Sequence, residues 1–293
     1  MTALALTFIS NIGGMIIVVA LRRVVESRPQ LVLFAIGLSQ LGLMLLPTLF
    51  VHRRQSLPAG QLLRLRPAPA LAYPAALLGT LAIHVIGSGY LLVQKLYLIP
   101  PKVYDFFHSS NVAEMRLFTA HTPLELAAMV VIAALIPGVS EELLFRGVAQ
   151  RSLERDLPPA RAIIFTSMLF AVVHLQPVNL VVLFGLACFL GYLAWKTGSI
   201  FPSMLAHFFF NAGSILVAYI YGDVPDTPHP ARDAASTLAS MLLPVGIAII
   251  ILLLVIDWLR RQERPADSHG HHIGGMPPDA DNPESSTFPN QLL

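Results

Sequence analysis

The sequence predicts an all-α fold, a polytopic transmembrane helical bundle of about eight helices, with seven equally compatible. Three observations predict it. Hydrophobic residues make up 55% of the 293 positions and charged residues 12%, where a soluble domain carries about 25% charged. The mean hydropathy is +0.67. Apolar stretches near the roughly 20 residues that span a bilayer recur along most of the chain. The net charge of +2, with no basic run, argues against a nucleic-acid partner. The single cysteine, Cys188, lies in an apolar stretch and excludes an internal disulfide.

The first apolar stretch, 3–21, follows no basic segment and precedes no small-residue cleavage site, so it reads as a retained helix rather than a signal peptide. The second falls at 31–51. The third, 70–99, is long and carries Gly87 and Gly89, which predicts a tilt or a break. Residues 101–122, with Lys102, Tyr104, Asp105, Phe106 and Phe107, read as an outer loop with an interfacial aromatic segment. Further spans fall at 124–150, 161–176, 178–195, 200–221 and 238–259. The tail from Arg264 to Leu293 is rich in Pro, Asp, Ser, Gly and Asn, a composition expected to stay disordered. The chain thus divides into N-terminal helices and an outer loop (1–123), a core that carries the chemistry (124–221), a loop with a C-terminal helix (222–263) and the tail (264–293). No internal repeat is visible.

The Lys/Arg bias orients the bundle. With the N-terminus inside, the inner segments receive Arg53, Arg54, Arg64, Arg66, Arg151, Arg155, Lys196, Arg260, Arg261 and Arg264. The outer loops receive Lys102, Arg116 and Arg232. Arg22, Arg23 and Arg28 run against this pattern, but the majority gives N-in and C-in. Arginine outnumbers lysine, and Ala, Leu and Pro abound. This composition points to a GC-rich bacterial genome and hence to the cytoplasmic membrane.

The chain is organised around Glu141–Glu142 and Arg146. A charged residue at bilayer centre costs about 2.5–3.5 kcal/mol even on insertion scales, so such groups face a bundle interior and find partners. Glu142 and Arg146 are i,i+4 neighbours on a helix, whereas Glu141 points about 100° away and has no local partner. Few other ionisable or amide groups lie deep in the spans. His174 closes the stretch from Phe170, and His207 and Asn211 share one helix face across three phenylalanines. At about 1.5 Å rise per residue, Glu141 and His174 each lie roughly 21–22 Å from the basic loop ending at Pro158–Pro159. Asn211 and His207 lie about 18 and 12 Å from the loop at Lys196–Ser199. Four groups from three helices can therefore meet in one layer.

Each group alone has an ordinary explanation. The Glu–Glu–Arg run fits the wet end of a helix with a snorkelling arginine. His174 fits a hydrogen-bonded structural residue, and the His207/Asn211 pair fits interhelical glue. Matching depth is what sets them apart. His84 reads as structural. His269, His271 and His272 sit in the solvated tail, and Ile86–Gly87–Ser88–Gly89 lacks the glycine two before the serine that a nucleophile turn needs.

A carboxylate and an imidazole can together hold a water and take its proton. Donors on another helix can stabilise the oxyanion formed when water adds to an amide carbonyl. Glu141, His174, His207 and Asn211 thus suit peptide hydrolysis without a covalent intermediate or a cofactor. Two histidines and a glutamate are also ligands of many zinc sites. The zinc-protease His-Glu-x-x-His pattern is absent, and the spacing leaves a zinc reading open.

Glu-Glu-x-x-x-Arg at 141–146, Phe-x-x-x-His at 170–174 and His-x-x-x-Asn at 207–211 resemble the three motifs of the CAAX prenyl endopeptidase and bacteriocin-processing family. The run from Gly185 through Gly191 to Thr197–Gly198–Ser199–Ile200 is also similar to family members. The resemblance covers roughly 124–220. It implies an all-helical intramembrane glutamic endopeptidase in which Glu141 and His174 activate water, and His207 and Asn211 form the oxyanion hole. Glu142 and Arg146 would support the site, with Phe170 packed beside it. The implied partners are the lipid bilayer and a lipidated or membrane-anchored protein cut near its C-terminus or leader. The family also includes proteins proposed as bacteriocin-immunity or scaffold proteins, which leaves a non-catalytic alternative. A small transporter would predict two similar halves with broken helices, and no such symmetry is visible.

Overall fold

A computed structural model describes residues 29–54, 63–107, 120–221 and 231–263. The expected first span, 3–21, and the tail, 264–293, lie outside them. The described residues are helical, with no strand. Helix α1 covers 29–54, α2 is Ala72–Leu98, α3 Pro123–Leu153, α4 Pro159–Val173, α5 Leu180–Thr197, α6 Phe201–Tyr221 and α7 Ala231–Arg261. Six of them are long and apolar enough to cross a membrane. The protein is an integral membrane protein, and its all-α bundle agrees with the expectation from sequence.

Helix α4 differs from the span expected at 161–176. It stops at Val173, and its 15 residues reach only about 22 Å, short of the roughly 30 Å hydrocarbon core. The cause is local. Leu175 takes a left-handed backbone (φ 53°), and Pro177 follows, so the helix cannot continue. His174 consequently caps α4 instead of lying within it. In the expected outer loop, 101–107 forms a short helix; residues 108–119 are outside the described set. The long third span is one helix through Gly87 and Gly89, with only its last turn widened.

Widened π-helical turns occur at Gln40–Leu45, Gln94–Leu98, Val130–Leu135 and Leu143–Ala149. The first three each end two residues before a proline: Pro47, Pro100 or Pro137. A proline ring clashes with the carbonyl four residues back and donates no hydrogen bond, so the preceding ladder opens. Two such turns flank the segment Ile136–Glu142. This is where π-turns tend to occur, beside functional sites.

The core lies where α2, α5, α6 and α7 meet, around Ala76, Leu186, Leu190, Leu193, Ala206 and Leu259. Helix α3 packs on α6, and α1 packs on α3. The α3–α6 crossing is made possible by Gly138. A Cβ there would sit 3.2 Å from the backbone N of Phe208 and 3.4 Å from the carbonyl O of Met204. Small residues at such crossings let helix backbones approach closely, and here the approach brings the Glu141–Glu142 pair against His207.

Candidate active site

Glu141 and Glu142 are both buried, at 5% and 0% exposure. Because they point to different sides of α3, they meet different partners. Glu142 faces Arg146 one turn on, with 3.4 Å between its Oε1 and Nη1. The same Oε1 accepts a hydrogen bond from His207 Nδ1 at 2.9 Å. Arg146 donates from Nη2 to the Ala187 carbonyl at 3.0 Å, and its guanidinium lies over the Phe170 ring, 4.9 Å from the centroid. Arg146 does not snorkel; it is fully buried. A buried charge is tolerable only when paired and hydrogen-bonded; the two charges pair with each other and each makes one of these hydrogen bonds, while Glu142 Oε2 and Arg146 Nη1 have no hydrogen-bond partner among the described residues.

Glu141 is the meeting point of three other elements. Its Oε2 lies 3.8 Å from His174 Nε2 and 3.8 Å from His207 Nε2. That oxygen is buried and has no hydrogen-bond partner among the described residues. Its other oxygen, Oε1, accepts from Gln40 Nε2 at 3.0 Å. Phe170 packs among these groups, with ring centroids 4.4 Å from His174, 5.7 Å from His207 and 5.0 Å from Phe145.

The histidine tautomers follow from their partners. His174 Nδ1 lies 2.6 Å from the Phe170 carbonyl, which can only accept, so Nδ1 carries the hydrogen. His207 Nδ1 faces the Glu142 carboxylate, and the same reasoning applies. In the neutral rings both Nε2 atoms are acceptors aimed at a carboxylate oxygen, itself an acceptor. Two acceptor nitrogens, each 3.8 Å from the acceptor oxygen, need a donor among them. This spacing, too long for a direct hydrogen bond, is the kind that a water molecule bridges.

Sequence-predicted residues Glu141, Glu142, Arg146, Phe170, His174 and His207 thus come together. Asn211 lies one turn beyond His207 on α6 and is half-buried; its side chain makes no hydrogen bond among the described residues. No group of three His, Cys, Asp or Glu side chains among the described residues is arranged to hold a metal ion. His84 is structural, with its ring 4.4 Å from Phe210 and its Nε2 3.3 Å from Ser214 Oγ. The tail histidines lie outside the described residues.

Sequence reasoning missed Gln40. It is the lone amide in the apolar stretch 31–51, and that isolation was the available signal. It also missed the lower support of the site. Gln150 Nε2 donates to Glu154 Oε1 at 2.9 Å and to the Gly191 carbonyl at 3.0 Å. Glu154 pairs with the buried Arg64, whose Nη1 reaches the Arg146 carbonyl at 3.4 Å.

No curated protein and no solved structure matches the chain. Residues 123–213 match the family model of type II CAAX prenyl endopeptidase Rce1-like proteins. The match runs from the start of α3 to the middle of α6 and includes every motif residue named above. The segment that carries the Glu–Glu, Phe–His and His–Asn motifs is therefore CAAX protease-like, similar to the Rce1-like family over 123–213, and is set in an integral membrane protein.

Proposed function

We propose that the protein is an intramembrane endopeptidase that hydrolyses a peptide bond near the C-terminus or leader of a lipidated or membrane-anchored protein. The observation that carries this reading is the unpartnered Glu141 Oε2 between two imidazole nitrogens. A water held there donates towards Glu141 and His174, and its oxygen attacks the amide carbonyl. A C–O bond forms, the water proton passes to Glu141, and the carbonyl oxygen becomes an oxyanion. Return of that proton to the leaving nitrogen lets the C–N bond break, which gives a carboxylate and an amine.

His207 serves the oxyanion when protonated, because its Nδ1–H is committed to Glu142 and only the imidazolium can donate from Nε2. Glu142 stabilises that cation, and Arg146 pairs with Glu142 and holds it in place. Asn211, one turn away on the same helix, supplies the second oxyanion donor once substrate is bound. The bacterial cytoplasmic membrane, with both termini inside, is the setting that composition and charge bias favour. In that setting a processed anchor or leader suits the substrate better than a prenylated terminus, because bacteria generally lack prenylation.

Wild type and Glu141→Ala are purified and reconstituted in nanodiscs. They are then assayed on internally quenched peptides, one farnesylated at a C-terminal CAAX sequence and one carrying an acyl-anchored leader, with and without a zinc chelator. Chelator-resistant cleavage that disappears in Glu141→Ala is expected. Cleavage lost to the chelator and restored by zinc would replace this mechanism with a metal-dependent one. Cleavage that persists in Glu141→Ala would place the chemistry elsewhere, and no cleavage of either peptide by folded wild type would favour the immunity or scaffold alternative.

A further inference from the structure

We infer that Gln40, on α1 and outside the family-matched segment, is the positioning residue that aims the carboxyl group of Glu141. The inference rests on the reading of Glu141 as the group that takes the proton from water, and it adds an element to that site.

An amide within an apolar span is costly unless its donors and acceptor are met. Gln40 meets them on α3. Helix α1 comes close to α3 at Gly37, where a Cβ would lie 3.0 Å from Ile132 Cγ2. The π-turn that begins at Gln40 then presents the amide to Ser140 and Glu141. Gln40 Nε2 donates to Glu141 Oε1 at 3.0 Å, and Gln40 Oε1 accepts from Ser140 Oγ at 3.2 Å. These two contacts fix which way the amide points. Turned over, it would set its oxygen against a carboxylate oxygen, two acceptors face to face.

The consequence is a division of labour between the carboxyl oxygens. Oε1 is held by a neutral donor, and Oε2 is left as the oxygen facing His174 and His207 Nε2. The hold survives the reaction. While Glu141 is ionised, Oε1 accepts as a carboxylate oxygen; once the water proton is on Oε2, Oε1 is a carbonyl oxygen and accepts the same N–H. Gln40 neither gains nor loses a proton. Its neutrality matters, because a cation there would bind the base electrostatically and blunt it, whereas a carboxylate would repel it. Ser140 is the weaker partner. Its single hydroxyl proton is shared between Gln40 Oε1 and the Ile136 carbonyl at 2.9 Å.

The test uses the full-length protein in nanodiscs and both internally quenched peptides, the farnesylated CAAX peptide and the acyl-anchored leader, with kcat read on the one that wild type cleaves. The variants are Gln40→Met, Gln40→Asn, Ser140→Ala and Glu141→Gln, and thermal unfolding is measured alongside. Gln40→Met keeps the side-chain length but removes the donor. It is expected to lower kcat roughly 10–100-fold with KM unchanged, the range of a misplaced reacting group. Gln40→Asn keeps an amide that stops one methylene short, so it should fall in the same range; it carries the test if the methionine variant does not fold. Ser140→Ala should cost less than about threefold and add nothing to Gln40→Met, since both act through one amide. If Gln40→Met and Gln40→Asn keep wild-type kcat while Glu141→Gln is inactive, the positioning role is overturned and the reading of Glu141 stands. Equal loss in kcat that tracks a lowered unfolding temperature would make Gln40 merely structural. Full cleavage by Glu141→Gln would overturn the reading beneath both.

Discussion

Replacing Arg146 with methionine should destabilise the fold, and replacing Glu142 with glutamine as well should largely restore it. Arg146 is 1% exposed and Glu142 0%, so neither charge has water as a substitute partner. Removing one member of a buried ion pair costs about 3–5 kcal/mol, because the other is left charged and unpaired. In Arg146→Met, Glu142 keeps only the His207 Nδ1 contact at 2.9 Å. Phe170 also loses the cation over its face. At roughly 2–4 °C per kcal/mol for a chain of this size, the midpoint should drop by about 6–20 °C. The double variant, Glu142→Gln with Arg146→Met, removes both members of the pair and leaves neither charge without its partner. The new amide oxygen can still accept from His207, and methionine fills the guanidinium's space, so its midpoint should return to within a few degrees of wild type. Thermal midpoints in detergent, read as loss of the monodisperse peak, give the cycle directly. Additive losses in the double variant, or an Arg146→Met protein that melts with wild type, would mean the pair is not coupled as its 3.4 Å geometry requires. Activity need not return in the double variant, which separates stability from chemistry.

Glu141→Gln should lower cleavage at least 100-fold, roughly the lower end for removal of a general base, with an unchanged melting midpoint, as measured by peptide cleavage beside thermal unfolding. Gly138→Val should push α6 from α3, because its Cβ meets backbone at 3.2 Å; a cost of about 1–3 kcal/mol is expected, with loss of activity in protein that still folds. Gly79→Ala places a Cβ 2.2 Å from the Phe189 ring and should cost a similar amount, which a second change, Phe189→Leu, should partly recover in thermal unfolding. Gly185→Ala, with nothing within 4 Å of its Cβ, should be neutral or stabilise by up to about 1 kcal/mol through helix propensity, and an equal loss at Gly185 and Gly79 would contradict the packing described.

Helix existence was legible because long apolar runs in a chain with 12% charged residues have one common structural solution in lipid. Helix ends were less so. The stop at Val173 depends on Leu175 adopting φ 53°, which no propensity of leucine announces. Glu142, Arg146, Phe170, His174 and His207 were legible because polar groups are rare and costly in spans, and a shared depth follows from residue counts alone. Depth says nothing about azimuth, however. Whether Glu141 or Glu142 faces His207 depends on helix rotation and on two π-turns, each adding a residue to its turn. In the structure His207 reaches both, Glu142 through Nδ1 and Glu141 through Nε2. Gln40 offered one signal, its isolation as an amide in the apolar stretch 31–51, but nothing in the sequence pairs position 40 with position 141.

The placement of the two glutamates becomes intelligible when α3 is followed downwards. Glu142, Arg146, Gln150 and Glu154 recur at four-residue intervals and are all buried, a polar ladder inside an apolar bundle. Two of its rungs are tied to backbone carbonyls of α5, Arg146 to Ala187 and Gln150 to Gly191. These carbonyls are also four residues apart, so the two helices are locked in register. Gly191 permits the lower tie, since a Cβ there would come 2.9 Å from Gln150 Oε1. The ladder ends at Glu154 and Arg64. Arg64 holds a left-handed backbone (φ 54°), and its carbonyl accepts from Ile200 N at 3.1 Å, at the start of α6. A non-glycine residue in that conformation costs on the order of 1–3 kcal/mol and persists only where its surroundings over-determine it. Three elements meet there: the chain before α2, the end of α3 and the α5–α6 turn. Each either carries or anchors a helix that supplies a site residue. An apolar seam would allow α3 to slide or rotate against α5 at small cost, because Leu packs against Leu in many registers. Directional bonds to fixed carbonyls do not. The ladder therefore sets the height and rotation of α3, and with them the side of the helix on which Glu141 meets Gln40, His174 and His207.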